Sequence, residues 1–457
     1  MDLSRRIQKY SGPGPRYTSY PTAPQWVDTL GTSAYETQLK KGSEGPLALY
    51  VHIPFCESLC YYCGCNIQIT KQHEKENPYV NALIRELDQV ASLLPNRREL
   101  SQISWGGGTP TFLAPSEMIR LYRAIEARFD IAADAEVSIE VDPRVTTDEH
   151  LKTLAALGFN RVSLGVQDFN PAVQKAVNRV QSKESTAKML ARCRELNFKG
   201  INFDLIYGLP YQTVESFQET IEQVIAVGPD RIALYNYAHL PSLRPHQKIL
   251  EKMPMPNAQA RIEIFNLAYN RLVESRYQAI GMDHFALTHD EMSKALDKGQ
   301  LYRNFMGYTV KKGNELIGIG ASAIGELNDG YFQNIRETKQ YQQSVMEKGL
   351  ATFRGCALTD DDRERKWIIQ SLMCRFQLSM DEFDTNFPRK FETDFAAELT
   401  QLQGFYDDGI LTRDGRTLFV TDLGRLFIRN VAMIFDAYLK APPGLATGQS
   451  ATYSQTV

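Results

Sequence analysis

The chain has 457 residues, 43% of them apolar and 23% charged, a globular composition at a length that exceeds one typical domain. A formal net charge of -3 gives no electrostatic footprint for nucleic acid, and no run approaches the roughly 20 apolar residues of a membrane span. The opening MDLSRRIQKY lacks the make-up of a signal peptide, so a cytoplasmic protein is expected, with no disulfide framework among its seven cysteines.

Residues 1–46 are rich in Pro, Gly, Tyr and Thr. Pro13, Pro15, Pro21 and Pro24 disfavour regular structure and predict an extended arm. A disordered leader is one reading; Arg16, Tyr17, Tyr20 and Trp26 suit an arm that lies across a pocket. Leu47–Ile53, bounded by Pro46 and Pro54, predicts a buried strand. Four of the seven cysteines follow within ten residues: Cys56, Cys60 and Cys63 at Cys-x3-Cys-x2-Cys spacing, then Cys65. Buried apolar thiols would rarely cluster so. Thiolates suit zinc or an iron–sulfur cluster. Zinc ordinarily takes four ligands, and no second Cys/His pair follows at finger spacing. A [4Fe–4S] cluster on three cysteines leaves one iron open.

From Leu47 to Tyr237 short β-like runs alternate with amphipathic stretches. Strands are predicted at Leu47–Ile53 and at residues 102–105, 136–141, 161–166, 201–207 and 231–235, with helices near 79–94, 116–129, 148–157, 182–196 and 214–227. Such alternation implies a parallel sheet whose ligand face lies at the strand C-terminal ends; a full eight-unit barrel is the alternative. After a proline-containing connector, 257–275 reads as a helix. YQAIGMDHFAL, LYRNFMGYTV and LIGIGASAIG then read as extra strands and loops beside the rim. Beyond Leu358 the pattern turns helical, at 360–376, 388–402 and 421–439, with a hairpin turning at Arg413–Gly415. Four segments result: an arm over 1–46, a barrel with rim strands over 47–350, a mainly helical winged-helix-like domain over 351–440, and a disordered tail over 441–457. A winged helix can read nucleic acid; at this net charge a substrate cover is the better expectation.

The strand ends carry the chemistry. In WGGGTPT, Gly106, Gly107 and Gly108 remove side chains so that backbone amides can approach a ligand, or else make an ordinary tight turn. SIEVDPR places Glu140 near the end of an apolar strand, where a carboxylate needs a partner such as a nearby Arg. GVQDFN supplies Gln167 and VNRV supplies Arg179. NFDLIYGLP puts Asp204 inside a strand, where an acid on a ribose hydroxyl is one recurring reason. NYAHLP brings Ala238 and His239, the latter equally readable as a structural residue.

The cysteine spacing, with Tyr62 at the aromatic position before the last ligand, resembles the signature of radical S-adenosylmethionine (SAM) enzymes, and the strand pattern resembles their partial (β/α)6 barrel. YVHIPFCESLCYYCGCN, WGGGTPT, SIEVDPR, GVQDFN, NFDLIYGLP, NYAHLP, GMDHFA, YRNFMGYT and GASAIG run in order behind GPRYTSYPTA. The whole resembles the oxygen-independent coproporphyrinogen III oxidases, except over its last fifteen or so residues. The resemblance implies one [4Fe–4S] cluster on Cys56, Cys60 and Cys63, with Cys65 not a ligand. It implies two SAM molecules, one near Tyr50, Gly107, Glu140 and Ile324. The other lies near Tyr62, Gly108, Thr109, Gln167, Arg179, Asp204 and Ala238. A 5′-deoxyadenosyl radical would abstract hydrogen from a propionate of coproporphyrinogen III, and two rounds would give the two vinyl groups of protoporphyrinogen IX. A reducing donor such as a flavodoxin or ferredoxin and a monomeric state are also implied. Arg303 and Arg16 are candidates to pair a propionate, because Arg suits bidentate carboxylate contacts; plain salt bridges are the alternative. Related haem chaperones or haem-processing proteins share the cluster loop but generally lack the RYTSYPTA arm and the Cys63–Cys65 ending.

Overall fold

The computed structural model describes residues 3–42, 44–95, 99–311 and 315–440, together with Tyr453 and Thr456. The expected tail over 441–457 otherwise falls outside the described residues. The chain packs as two compact units. One comprises Asp28–Tyr277 and Lys311–Ala357; the other comprises Met1–Val27, Gln278–Val310 and Leu358–Val457. Units therefore do not follow the linear segments: residues 278–310 group with the arm and the helical segment.

In the larger unit six strands pair in chain order, all parallel: β1 (Leu47–Ile53), β2 (Glu99–Gly107), β3 (Asp130–Val141), β4 (Arg161–Gln167), β5 (Gly200–Tyr207) and β6 (Arg231–Asn236). Between them run α1 (Glu76–Leu93), α2 (Pro115–Glu126), α3 (Asp148–Ala156), α4 (Lys183–Glu195) and α5 (Val214–Val227). The helix starts are written locally. Thr147 and Thr213 form reciprocal capping boxes, and the Ser182 hydroxyl accepts from the Ser185 amide. The strands show why the site residues share a face. Along β4, Val162, Leu164 and Val166 are buried while Ser163, Gly165 and Gln167 are only partly so. In β5, Asn202, Asp204 and Ile206 alternate in the same way with buried Phe203 and Leu205. A period of two thus turns one set toward the helices and the other toward the barrel interior.

The stretch expected at the rim instead enters the main sheet. Strand β7 (Glu315–Ile319) pairs parallel with β1 on the side away from β2. It is followed by antiparallel β8 (Ile324–Leu327), β9 (Gly330–Asn334) and β10 (Thr352–Ala357). Every residue of β7 is buried, as a strand covered on both faces requires. Its turn into β8 is fastened by Glu86 of α1. That carboxylate accepts from the Gly320 amide at 2.9 Å and from Asn334 Nδ2 at 2.7 Å. It also accepts from the Tyr341 hydroxyl at 2.6 Å, on α7 (Thr338–Lys348), the helix that follows α6 (Ala258–Glu274) in chain order.

In the smaller unit the arm is not wholly extended. Prolines begin only at Pro13, so Leu3–Tyr10 is free to form a helix, with Ile7 buried and Tyr10 stacked on Phe405 at 4.8 Å. Thr32–Lys41, which lies between Pro24 and Pro46 and belongs to the larger unit, is also helical. The proline stretch itself is pinned: Tyr17 donates to Asp436 at 3.0 Å and Arg429 Nε donates to the Pro15 carbonyl at 2.9 Å. The expected hairpin forms as Leu411–Asp414 against Thr417–Val420, with Gln377–Ser379 as a third strand. Two long helices are in fact broken. The region 388–402 splits into Phe391–Asp394 and Ala396–Gln401, because Phe395 leaves helical backbone at the junction as its ring stacks on Phe391. The region 421–439 becomes Leu423–Phe427, Ile428–Met433 and Ala437–Lys440.

Glu86 is fully enclosed, and burial pushes its pKa up to about 7 despite its three donors. An acid whose folded pKa is raised contributes stability that is complete below the unfolded value of 4.5 and lost as pH rises through about 7. Melting temperature measured against pH should therefore fall between pH 5 and 8 more steeply in the wild type than in Glu86→Gln. The differential is up to about 3 kcal/mol.

Candidate active site

Between Ile53 and Gln68 the chain makes no regular element beyond Phe55–Cys56, which pairs in parallel with Gln68–Ile69. That two-residue ladder closes the cysteine loop at its neck. Inside it, each backbone carbonyl needs a donor from elsewhere. Gln247 Nε2 donates to Tyr62 O at 2.9 Å and His246 Nε2 to Cys63 O at 2.8 Å; Arg244 forks Nε and Nη2 onto Gly64 O at 2.9 and 2.7 Å. On the other flanks Asn178 Nδ2 holds Leu59 O at 2.8 Å and His52 Nε2 holds Asn66 O at 2.9 Å.

The glycines of WGGGTPT serve the same loop. The Gly108 amide donates to Ile53 O and the Thr109 amide to Phe55 O, each at 2.8 Å, so these two amides pin the loop rather than face a ligand. Gly107 has φ +114, and a Cβ there would lie 2.5 Å from the His52 ring. Its amide donates to Glu140 Oε2 at 3.1 Å.

Cys56, Cys60, Cys63 and Cys65 all line one cavity of about 480 Å³. Tyr62, Gly107, Gly108, Thr109, Glu140, Gln167, Arg179 and Asp204 line it as well. Eight of the eleven residues expected to hold SAM are thus brought together with the three expected cluster ligands. Among the described residues, no three His, Cys, Asp or Glu side chains converge closely enough to hold one metal ion. Burial pushes the Cys56 thiol up to about 12. The Cys63 thiol is held down, first by the hydrogen bond from Cys65, with Arg244 and Arg179 adding positive charge. A soft, electron-rich cluster of thiols in a walled cavity fits an iron–sulfur cluster.

Opposite charges are sorted around the rest of the wall. Glu140 stands across from Ser163 in register, and the Ser163 hydroxyl donates to Asp204 Oδ2 at 2.9 Å. Burial, then the Asp204 carboxylate, push the Glu140 pKa up to about 7, although the hydrogen bond from the Gly107 amide opposes this. Asp142 behaves in the reverse sense. Burial works to raise its pKa, but Arg179 and Arg144 outweigh it and hold it below the usual carboxylate range. Arg179 Nη1 lies 3.0 Å from Asp142 and 3.6 Å from Cys60 Sγ, and Arg144 Nη2 lies 3.5 Å from the same sulfur. The Arg179 Nε and the Gln167 Oε1 are buried without a partner, and Gln167 takes φ +68. Acids on one side and an unspent guanidinium N–H on the other suit a zwitterionic ligand.

Other expected residues lie apart. Ala238 lines a second cavity, of about 410 Å³, that shares Tyr62 and Ile206 with the first. Tyr50 and Ile324 line neither; Tyr50 donates to His52 Nδ1 at 3.2 Å, and Ile324 opens β8. Arg16 and Arg303 belong to the other unit. Both ring nitrogens of His239 are occupied, by Tyr237 and Glu251, which is the structural reading. Sequence reasoning missed His52, Asp142, Arg144 and the Arg244–Gln247 clasp. Asp142 was findable as a second carboxylate two positions beyond Glu140. The clasp was not, since nothing local marks 180 residues of separation.

The fold and the cysteine cavity define a radical SAM protein, and residues 50–224 match the radical SAM superfamily. Residues 358–427 match the HemN C-terminal domain. The chain is 45% identical over 434 residues to the oxygen-independent coproporphyrinogen III oxidase of Escherichia coli (strain K12), covering 95% of each. It is 41% identical to that of Pseudomonas aeruginosa, again over 95% of each. A solved structure of coproporphyrinogen III oxidase (HemN) from Escherichia coli, a radical SAM enzyme, superposes with TM-score 0.91 at 44% identity, covering 96% of this chain and 99% of that one. The chain belongs to the oxygen-independent coproporphyrinogen III oxidase family, which implies a [4Fe–4S] cluster and SAM.

Gln247 is 1% exposed and also accepts from the Leu240 amide at 2.7 Å, so Gln247→Leu strands three part-buried backbone groups. Each stranded group costs about 1–3 kcal/mol. Cluster affinity, read as iron retained per chain during chelator challenge after anaerobic reconstitution, should fall on the order of 10-fold.

Proposed function

We propose that the protein converts coproporphyrinogen III to protoporphyrinogen IX, oxidatively decarboxylating two propionate side chains to vinyl groups without oxygen, as a radical SAM step of haem biosynthesis. One observation carries this reading: 45% identity to a curated oxidase over 95% of both chains, in a chain whose three spaced thiols share one cavity.

Cys56, Cys60 and Cys63 would hold a single [4Fe–4S] cluster, with Cys65 partnering Cys63 rather than ligating. Tyr50, Gly107, Glu140 and Ile324 would serve one SAM, and Tyr62, Gly108, Thr109, Gln167, Arg179, Asp204 and Ala238 a second. When bound, these groups supply a carbon radical able to take a hydrogen atom from a propionate. The chain's own residues bind and orient. Glu140 and Asp204 offer acceptors for ammonium or hydroxyl groups, and Arg179 offers its free Nε to a carboxylate. Asp142 takes up enough of the Arg144 and Arg179 charge to keep the pair together. Arg179 and Asp142 hold their charged forms, and His52 is held neutral, its pKa lowered to about 4 by burial.

The substrate's propionates need cationic partners. Arg303 is 8% exposed, with its guanidinium 4.7 Å over the Tyr308 ring; its Nε and Nη1 have no partner. Arg16 is already paired with Asp283. Arg303 is therefore the stronger propionate ligand of the two, its donors being buried and unspent. Electrons come from a one-electron donor such as a flavodoxin or ferredoxin, and the enzyme works as a cytoplasmic monomer. Among the described residues no helix is long and apolar enough to cross a membrane.

Anaerobically reconstituted protein given SAM, reductant and coproporphyrinogen III should yield a product with two fewer carboxyl groups by mass, and Cys60→Ala should abolish it with loss of iron. Cofactor cleavage with untouched porphyrinogen would refute the assignment. Arg303→Met should raise KM for the porphyrinogen on the order of 10-fold at unchanged iron content; an unmoved KM would remove Arg303 from the substrate site.

A further inference from the structure

The second cavity, of about 410 Å³, is cationic. Arg244 and Arg336 both line it, and no Asp or Glu does. Little on its wall neutralises them. Arg244 commits Nε and Nη2 to the Gly64 carbonyl, a neutral acceptor that leaves the charge intact. Arg336, just past β9, makes no side-chain hydrogen bond or ion pair among the described residues. Burial and then the Arg244 charge pull its pKa down, and exposed Asp28 is the one acid acting the other way. A third guanidinium, Arg354, stands behind: its Nε donates to Gln333, another lining residue, and it too feels Arg336.

Like charges gathered on a partly desolvated wall repel, and an anion in the cavity reverses that cost. The remaining lining says which kind. Ile206, Tyr237, Leu240 and Leu243 give an apolar surface beside the cations, and Tyr62 and Ile206 line both this space and the cluster cavity. The ligand must therefore combine carboxylate with apolar ring and reach toward the cofactor side. A pyrrole bearing a propionate has that form, and guanidinium forks match carboxylates bidentately.

We propose that Arg336 and Arg244 form a carboxylate subsite in this second cavity that grips a propionate of the porphyrinogen. The proposal rests on the functional reading above. The amino-acid carboxylate of SAM shares the chemistry, so the test separates the two sources. Arg336 is the residue to change, because Arg244 also holds the cluster loop. In anaerobic holoenzyme, Arg336→Met weakens coproporphyrinogen III binding, as Kd and KM, on the order of 10-fold, with kcat, SAM affinity and iron content unchanged. Arg336→Lys regains part of the affinity. Coproporphyrinogen III tetramethyl ester binds wild type and Arg336→Met alike. An unchanged porphyrinogen Kd in Arg336→Met overturns the subsite. An equal loss of SAM affinity overturns it too, by giving the carboxylate to the cofactor. Wild-type protein that binds no coproporphyrinogen III overturns the functional reading itself and the subsite with it.

Discussion

A loop built to present three thiols to one cavity pairs little of its own backbone, and that constraint organises the structure around residues 54–67. Five of its carbonyls, those of Leu59, Tyr62, Cys63, Gly64 and Asn66, are held by side chains from β1, from the turn after Pro171–Ala176, and from the loop beyond β6. Two amides of the glycine run hold the neck. The loop is therefore fixed mainly by residues distant in sequence, with little of its stability local. Loss of a single clasp residue leaves a loop carbonyl without its donor, and where that carbonyl is part-buried, as at Tyr62 and Cys63, a desolvation penalty adds to the lost hydrogen bond.

Electrostatics at the cavity turns on the same comparison of burial against partners. Glu140 and Asp142 are two residues apart at the end of β3, and burial works to raise both. Asp142 meets two guanidiniums and is held ionised. Glu140 meets one backbone amide and a second carboxylate, and its pKa rises. Two acids of ordinary intrinsic strength thus acquire opposite preferences from their neighbours alone. The acid that favours its proton is the one with spare capacity for an incoming cationic group, since such a group supplies the compensation that Asp142 already has.

What was legible in the sequence follows from how local each cause is. Strand and helix positions from Leu47 to Asn236 were legible because hydrophobic period and caps act within a few residues. Val214–Val227 is bounded by Thr213 and Gly228 just as its sequence reads. The placement of β7 was not, since a run that is apolar from Leu316 to Ile319 states that it is buried without stating beside which strand. The helix over Leu3–Tyr10 was hidden by weighting prolines that lie beyond its end. The break at Phe395 was hidden because aromatic packing from distant segments overrode a continuous helical pattern. At the site, residues whose role is to line the cavity could be carried across from a motif. Residues whose role is to hold other residues, such as Glu86, His52 and Gln247, carry no motif of their own.

Arg244 shows how far one such residue can reach. Its partner at Gly64 is a neutral carbonyl, so its geometry is fixed while its charge remains unspent. That charge acts on Cys63, where it favours the thiolate that a cluster requires, and on Arg336, where it disfavours a second cation. A carboxylate at Gly64's place would have anchored the side chain equally well and cancelled both effects. A lysine would have kept the charge but lost the two-pronged hold on the loop. The guanidinium is the side chain that satisfies the loop's geometry and the two cavities' electrostatics together.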